Sequence, residues 1–198
     1  MSRRLTVFGW WGLWVGLAFF SVYPTTNWLA ESSAKHYSVH LAAELDIPFV
    51  AGFIWFYLSM YLLFTLPPFF LQPRELKRLG IELLAATAVA GVVFILFPVK
   101  LGFDRVTPDD PLYGYIYAAV FSIDKPFNLV PSLHVVYTCA IALSITRKMG
   151  EYSRGIVLLW ATLITLSTLF VHQHHLLDVV SALVLVGCIS IFVGRKYA

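Results

Sequence analysis

Six stretches of this chain are apolar over lengths that a water-soluble fold rarely needs, and they narrow the possible architectures more than any other feature. They lie near residues 5–23, 47–71, 80–97, 131–146, 155–171 and 176–193. A helix crossing the hydrocarbon of a bilayer needs about 17–25 predominantly apolar residues, and most of these stretches qualify. Charge is correspondingly scarce. Only 13% of the 198 residues are charged and mean hydropathy is +0.78, whereas a soluble domain carries about 25% charged residues. The expected fold is all-α: a polytopic membrane protein with six transmembrane helices in one bundle, residues 1–198 forming a single domain.

The fourth stretch is short and fits a helix that starts below the membrane surface among its neighbours. Pro131 suits the first turn of that helix, where a missing N–H costs nothing. The first stretch follows Ser2-Arg3-Arg4 and imitates a signal peptide, but no small-x-small cleavage site follows, so it is read as a retained anchor. Cytoplasmic loops collect Lys and Arg. Alternating the ends of the six stretches places Arg3, Arg4, Arg74, Lys77, Arg78, Arg147, Lys148, Arg154, Arg195 and Lys196 on one side, ten of the fourteen basic residues. Lys35, Lys100, Arg105 and Lys125 fall on the other side with most of the acids. Both termini are therefore predicted to be cytoplasmic, with loops 24–46, 98–130 and 172–175 facing out. The first of these loops reads equally as a short surface helix or a plain connector. The basic residues form no stripe of the kind that binds nucleic acid. Cys139 and Cys188 sit in apolar runs and read as small hydrophobes, not as a disulfide.

Polar residues concentrate at the outer boundary. Lys100 and Arg105 follow the third stretch in "FPVKLGFDRVTP", Ser132 and His134 open the fourth in "NLVPSLHVVY", and Ser167 and Thr168 end the fifth. His172, His174, His175 and Asp178 occupy the turn into the sixth. Ionisable groups at such a depth are functional candidates by default. His174 and Asp178 are i and i+4 and share a helix face. A carboxylate there can take the Nδ1–H of the imidazole and leave Nε2 free. The start of the fourth helix offers unpaired N–H groups and a positive dipole end, Ser132 adds a hydroxyl, and Lys100 and Arg105 add charge. Together they make a phosphate pocket with two histidines, one braced by an aspartate.

These residues resemble a known family. "PSLH" at 131–134 looks like the PSGH-type motif of the type-2 phosphatidic acid phosphatase superfamily. "STLFVHQHHLLD" at 167–178 resembles its S-R-x5-H-x3-D motif, with Ser167, His174 and Asp178 in register. "KLGFDR" stands where the family carries K-x6-R-P. By this resemblance His174 is the nucleophile that becomes phosphohistidine and Asp178 orients it. His134 protonates the leaving alkoxide and then activates water or an alcohol. Lys100, Arg105, Ser132 and Ser167 hold phosphate oxygens, and neither metal nor other cofactor is implied. The implied substrate is a lipid phosphate entering from the bilayer. Thr168 stands where the family has arginine, Val106 where it has proline, and Leu133 where it has glycine; Lys100 lies two residues too close to Arg105. PSLH with a histidine-rich third motif also resembles the phosphotransferase branch, which includes inositol phosphorylceramide and sphingomyelin synthases.

Other readings compete. The histidine cluster could bind zinc, although HExxH is missing. His172 and His175 could merely cap a turn. Ser132 lies too close to His134 on a helix for a serine-hydrolase pair, and there is no G-x-S-x-G elbow. A transporter would need more intramembrane acids than Glu82, which is expected near enough to the cytoplasmic interface to be solvated. His36 and His40 have no motif around them and read as surface residues.

Overall fold

The computed structural model describes residues 1–197, with side chains to Arg195; the Lys196 side chain, one of the basic groups counted toward the cytoplasmic face, lies outside the described residues. The chain is helical, and among the described residues the only extended pairing is an isolated parallel bridge between Tyr37 and Val99. In order come α1 (Ser2–Glu31), 3-10 turns at Ala42–Asp46 and Ala51–Phe53, α2 (Ile54–Leu58), α3 (Met60–Leu63), α4 (Pro67–Phe70), α5 (Pro73–Leu96), α6 (Pro111–Ile123), α7 (Leu133–Thr146), α8 (Glu151–Phe170) and α9 (Leu176–Tyr197).

Four of these helices, α1, α5, α8 and α9, are long and apolar enough to cross a membrane. Six spans were expected, the fourth of them short, and the second stretch differs. Residues 47–71 do not form one helix but break into α2, α3 and α4. Pro67 and Pro68 lack the N–H that would continue a helix. At the α2–α3 break the Ser59 hydroxyl turns back to the Phe56 carbonyl (2.7 Å) and is itself held by the Trp160 indole N–H (2.8 Å). The fourth stretch is short, as expected: the 14 residues of α7 extend only about 21 Å at 1.5 Å per residue. Apart from exposed Leu143 it is largely buried, by Val135, Val136, Ile141, Ala142 and Ile145 among others, between α5, α8 and α9. A helix apolar all round belongs in the middle of a bundle. Pro131 is not in its first turn; Ser132 takes the N-cap position because its hydroxyl can accept from the Val135 N–H (3.3 Å).

The outer surface carries the large apolar residues. Leu13, Leu17 and Phe20 on α1, Val92 and Ile95 on α5, and Leu183 and Val184 on α9 are exposed. Such a continuous apolar exterior is intelligible when the solvent is lipid. α1 lies directly on α5: a Cβ at Gly91 would stand 2.5 Å from a Val22 methyl, so only glycine allows this approach, the usual device of helix pairs in lipid.

The basic residues of several helices gather at one end. Lys148 pairs with Glu75 at 2.6 Å, the charge of Arg4 acts on the same carboxylate, and Arg78 reaches the Ser190 carbonyl at 3.3 Å. Glu82 is not solvated as expected. It is buried and its charge is met by Arg78 one turn earlier at 2.9 Å. At the opposite end Lys125 pairs with Glu31. There the 98–130 segment contains α6, which the hydropathy reading passed over. Asp110 caps it, accepting from the Leu112 and Tyr113 amides at 3.0 Å each, and Pro111 opens it.

Candidate active site

The turn from α8 into α9 sets the first histidine. The Thr168 carbonyl accepts from the amides of Gln173 and His174 (3.0 Å each), and His172 adopts φ 54°. This reversal delivers His174 beside the first turn of α9. Its Nδ1 lies 3.1 Å from Asp178 Oδ2, with both side chains buried. The carboxylate accepts, so Nδ1 carries the proton and Nε2 keeps its lone pair. The same Oδ2 accepts from the His175 amide at 2.8 Å, which fixes the carboxylate in turn.

A main-chain bond joins the second element. The Ser132 amide donates to the Asp178 carbonyl at 3.1 Å, stitching the start of α7 to the start of α9. Leu133 and His134 open α7 at positions whose N–H groups have no carbonyl one turn back. The His134 ring stacks on Tyr57, centroids 4.0 Å apart, and its Nε2 lies 3.0 Å from the Tyr57 carbonyl. A carbonyl only accepts, so His134 Nε2 carries a proton and Nδ1 is the nitrogen free to take one. The charges of His134 and His174 act on each other.

The expected phosphate-binding groups are placed unequally. Ser132 and Ser167 are fully buried; the Ser132 oxygen caps α7, and the Ser167 hydroxyl donates to the Ile164 carbonyl at 2.6 Å. Arg105 is half-buried. Its guanidinium lies 4.8 Å over the Phe121 ring, Nη1 reaches the Phe121 carbonyl at 3.4 Å, and Nε is buried without a partner. Burial lowers its pKa, and the nearby Asp124 carboxylate partly offsets that; an arginine stays charged regardless. Lys100 stands apart. It is exposed, its amide donates to the Tyr37 carbonyl at 3.0 Å, and it lines a hollow with His36, Tyr37 and Ser38.

Several site residues carried no motif. Asp124, at the end of α6, accepts from the Tyr23 hydroxyl through Oδ1 and from the Tyr57 hydroxyl through Oδ2 (3.4 Å). Burial raises its pKa, against the Tyr23 hydrogen bond and the charges of His174 and Arg105. Glu44, from the first outer loop, is buried and spans two amides, Leu41 at 2.9 Å and Leu176 at 2.7 Å. That loop is therefore a connector with a purpose: Glu44 caps α9. Burial alone would raise the Glu44 pKa, but the two amides and His175 outweigh it and the net shift is downward.

The flanking histidines have structural partners. His172 Nε2 donates to the Ile47 carbonyl (2.8 Å), and its ring stacks on Phe103 at 3.9 Å. His175 Nε2 accepts from the Gly102 amide (3.0 Å), and its Nδ1 faces Glu44 at 3.3 Å. Its ring lies between Phe103 and His40, at 4.5 and 4.7 Å. His36 is exposed as expected, but His40 is not a free surface residue, since this stack half-buries it. Gly102 has no alternative here: a Cβ would stand 2.3 Å from the His40 ring. Burial lowers the pKa of both His172 and His175. The histidines thus turn to separate partners, and among the described residues no three His, Cys, Asp or Glu side chains group as metal ligands.

A model of the PAP2 superfamily matches residues 79–197, more than half of the chain. The chain belongs to the PAP2 superfamily. No curated protein and no solved structure matches it. Members of the PAP2 superfamily are generally phosphatases, which supports an enzyme acting on phosphate esters. The matched residues run from α5 to α9 and include His134, His174, Asp178, Lys100, Arg105, Ser132 and Ser167. Tyr23, Glu44 and Tyr57 come from the part of this PAP2-superfamily chain that lies outside the match.

Proposed function

We propose that this protein is an integral-membrane lipid phosphatase working through a phosphohistidine on His174 at the outer membrane face. The observation that supports this reading most is the pair of oppositely prepared rings. His174 has its Nδ1–H on buried Asp178 and Nε2 free, while His134 is held through Nε2 with Nδ1 free. In the first step His174 Nε2 attacks phosphorus, the N–P bond forms and the ester P–O bond breaks. His134, protonated, gives its proton to the leaving alkoxide. Asp178 stabilises the imidazolium that results. In the second step water attacks, the N–P bond breaks, and His134 Nδ1 takes the water proton, so each histidine returns to its starting state. Arg105, the Ser132 hydroxyl and the first-turn amides of α7 hold the phosphoryl oxygens, Ser167 joins them when its hydroxyl turns away from the Ile164 carbonyl, and Lys100 contributes field at the rim.

A second reading, transfer of the phosphoryl group to an alcohol, is favoured by PSLH with the histidine-rich third motif and by Asp124, whose partner Tyr57 stacks on His134. Both readings share the covalent intermediate. Rapid quench with a labelled aryl phosphate and mass spectrometry should place the adduct on His174, acid-labile and base-stable, and His174→Ala should form none. A phosphoryl group on His134, or turnover with no adduct under any condition, would overturn the assignment. The cationic and N–H groups named above suffice for charge stabilisation, so full activity is expected in excess EDTA; loss on chelation with rescue by zinc or manganese would contradict it.

A further inference from the structure

A carboxylate is a poor neighbour for a phosphate, yet Asp124 joins the site through Tyr57, whose hydroxyl it accepts from at 3.4 Å and whose ring stacks on His134 at 4.0 Å. Its charge acts on both His174 and Arg105. Its two oxygens face two phenols, Tyr23 from α1 and Tyr57 from α2. Tyr57 belongs to both sides of the site, since its ring supports His134 while its hydroxyl points at Asp124.

The chemistry of this trio selects a ligand. Phosphate oxygens are negative and only accept, so Asp124 repels them. A hydroxyl has one hydrogen to give and lone pairs to receive. Asp124 Oδ2 holds only the long 3.4 Å bond from Tyr57, which leaves it able to accept a second, and the Tyr57 hydroxyl can turn to donate to the newcomer. A hydroxyl matches this acceptor and donor and a phosphate does not.

Resting on the phosphohistidine reading, we propose that Asp124, Tyr23 and Tyr57 form a subsite for a hydroxyl of an acceptor alcohol, and that the acceptor is a polyol. Two hydroxyls are needed because two places call for one. The reacting hydroxyl must reach the phosphorus and His134 Nδ1, so the Asp124 subsite takes another on the same molecule. In the transfer step the His174 Nε2–P bond breaks as the alcohol O–P bond forms. The proton of the reacting hydroxyl passes to His134 Nδ1, and His174 leaves as the neutral ring with Nδ1–H still on Asp178. Asp124 takes no proton; it holds the second hydroxyl. Tyr23 keeps Asp124 oriented and lies, like Tyr57, outside the residues matched to the PAP2 superfamily. The subsite therefore joins Asp124, within the matched residues, to two phenols from this chain's N-terminal elements.

The test measures a ratio. Purified full-length protein in detergent is given a labelled aryl phosphate with equal concentrations of glycerol and propan-1-ol, and the two phosphorylated alcohols are counted. Wild type should favour glycerol by roughly tenfold or more, the size of one hydrogen bond to a charged group. Asp124→Asn should bring the ratio close to parity, and Tyr57→Phe should move it the same way. A general loss of rate cancels, because the ratio is read within each variant. Parity in wild type overturns the subsite. So does an unchanged ratio in Asp124→Asn with slower turnover overall, which would make Asp124 only a positioning residue for Arg105. If Asp124→Asn does not elute as a single species, Tyr57→Phe decides. Wild type that forms no phosphohistidine from the aryl phosphate would show instead that the underlying reading had failed, and the subsite would fall with it.

Discussion

One oxygen, Asp178 Oδ2, accepts from both the His174 ring and the His175 amide. Asp178→Asn can keep an oxygen at that position, but the amide is neutral, so the imidazolium that forms on His174 loses its counter-charge; an amide turned the other way would set its NH2 against both donors. By analogy with the equivalent change in a Ser-His-Asp triad, kcat should fall by roughly 10⁴-fold, with the adduct still forming slowly on His174 in quench experiments; wild-type turnover would remove Asp178 from the mechanism. Arg105→Ala should cost about 2.7–4 kcal/mol of transition-state stabilisation, and Arg105→Lys should recover only part, since a point charge cannot reproduce the guanidinium fork. Steady-state kcat/KM measures both, and wild-type values for Arg105→Ala would disqualify it as a phosphate ligand. The pairing of His174 with Asp178 was legible in the sequence from their spacing, although His174 lies in the turn before α9 and not on the helix face that the spacing implied. Asp124 was not. It reaches the site from the far end of α6, and its partners are 101 and 67 positions away, so no local pattern announces it.

Hydropathy found the long helices and misjudged the punctuated ones. Residues 47–71 are apolar enough for a span, but Pro67, Pro68 and the Ser59 back-bond decide the backbone there, and an average over apolar side chains does not register them. The Asp110-Pro111 start of α6 was readable by N-cap chemistry and was hidden only by its lying between spans. Glu44 capping α9 was unreadable, since the carboxylate and the Leu176 amide are 132 residues apart. Its energetic role is testable. Glu44→Ala leaves the Leu176 amide without its partner and removes the carboxylate that faces His175 Nδ1, and should lower stability by about 1–2 kcal/mol, the range of a lost helix cap; an unchanged melting temperature would show the cap to be idle. The stack above it is sensitive to pH. Burial holds His172 and His175 below the ordinary value of 6.5. For His175, Asp178 and Glu44 pull the other way and His40 adds to the depression. The folded state thus disfavours a proton that the unfolded chain accepts, so stability is full above pH 6.5 and is lost as pH falls below it. Protonated His175 can no longer accept from Gly102, and hydrogen exchange across 98–110 should quicken at pH 5 relative to pH 7.5. Equal exchange at both pH values would mean that the stack does not hold this loop.

Seen as one body, the molecule is polarised along its long helices. Arg4, Glu75, Arg78 and Lys148 gather at one end, and His134, His174, Asp178 and Arg105 at the other, with an apolar exterior between. Charge bias in short loops sets orientation in a membrane, so the basic end is expected in the cytoplasm and the histidines outside. The positions that best report this are exposed and bear no structural duty. Asp109 is such a position on the histidine side, one residue before the Asp110 cap, and Arg74 is one on the basic side. Cys139 and Cys188 are free thiols, so both are first replaced by alanine. In intact cells an impermeant maleimide should then label Asp109→Cys and miss Arg74→Cys until the membrane is opened. Retained turnover of an aryl phosphate by each variant confirms that the fold has survived the changes. The reverse labelling pattern would put the phosphohistidine chemistry on the cytoplasmic leaflet, and the acceptor polyol would then have to come from the cytoplasm and not from outside.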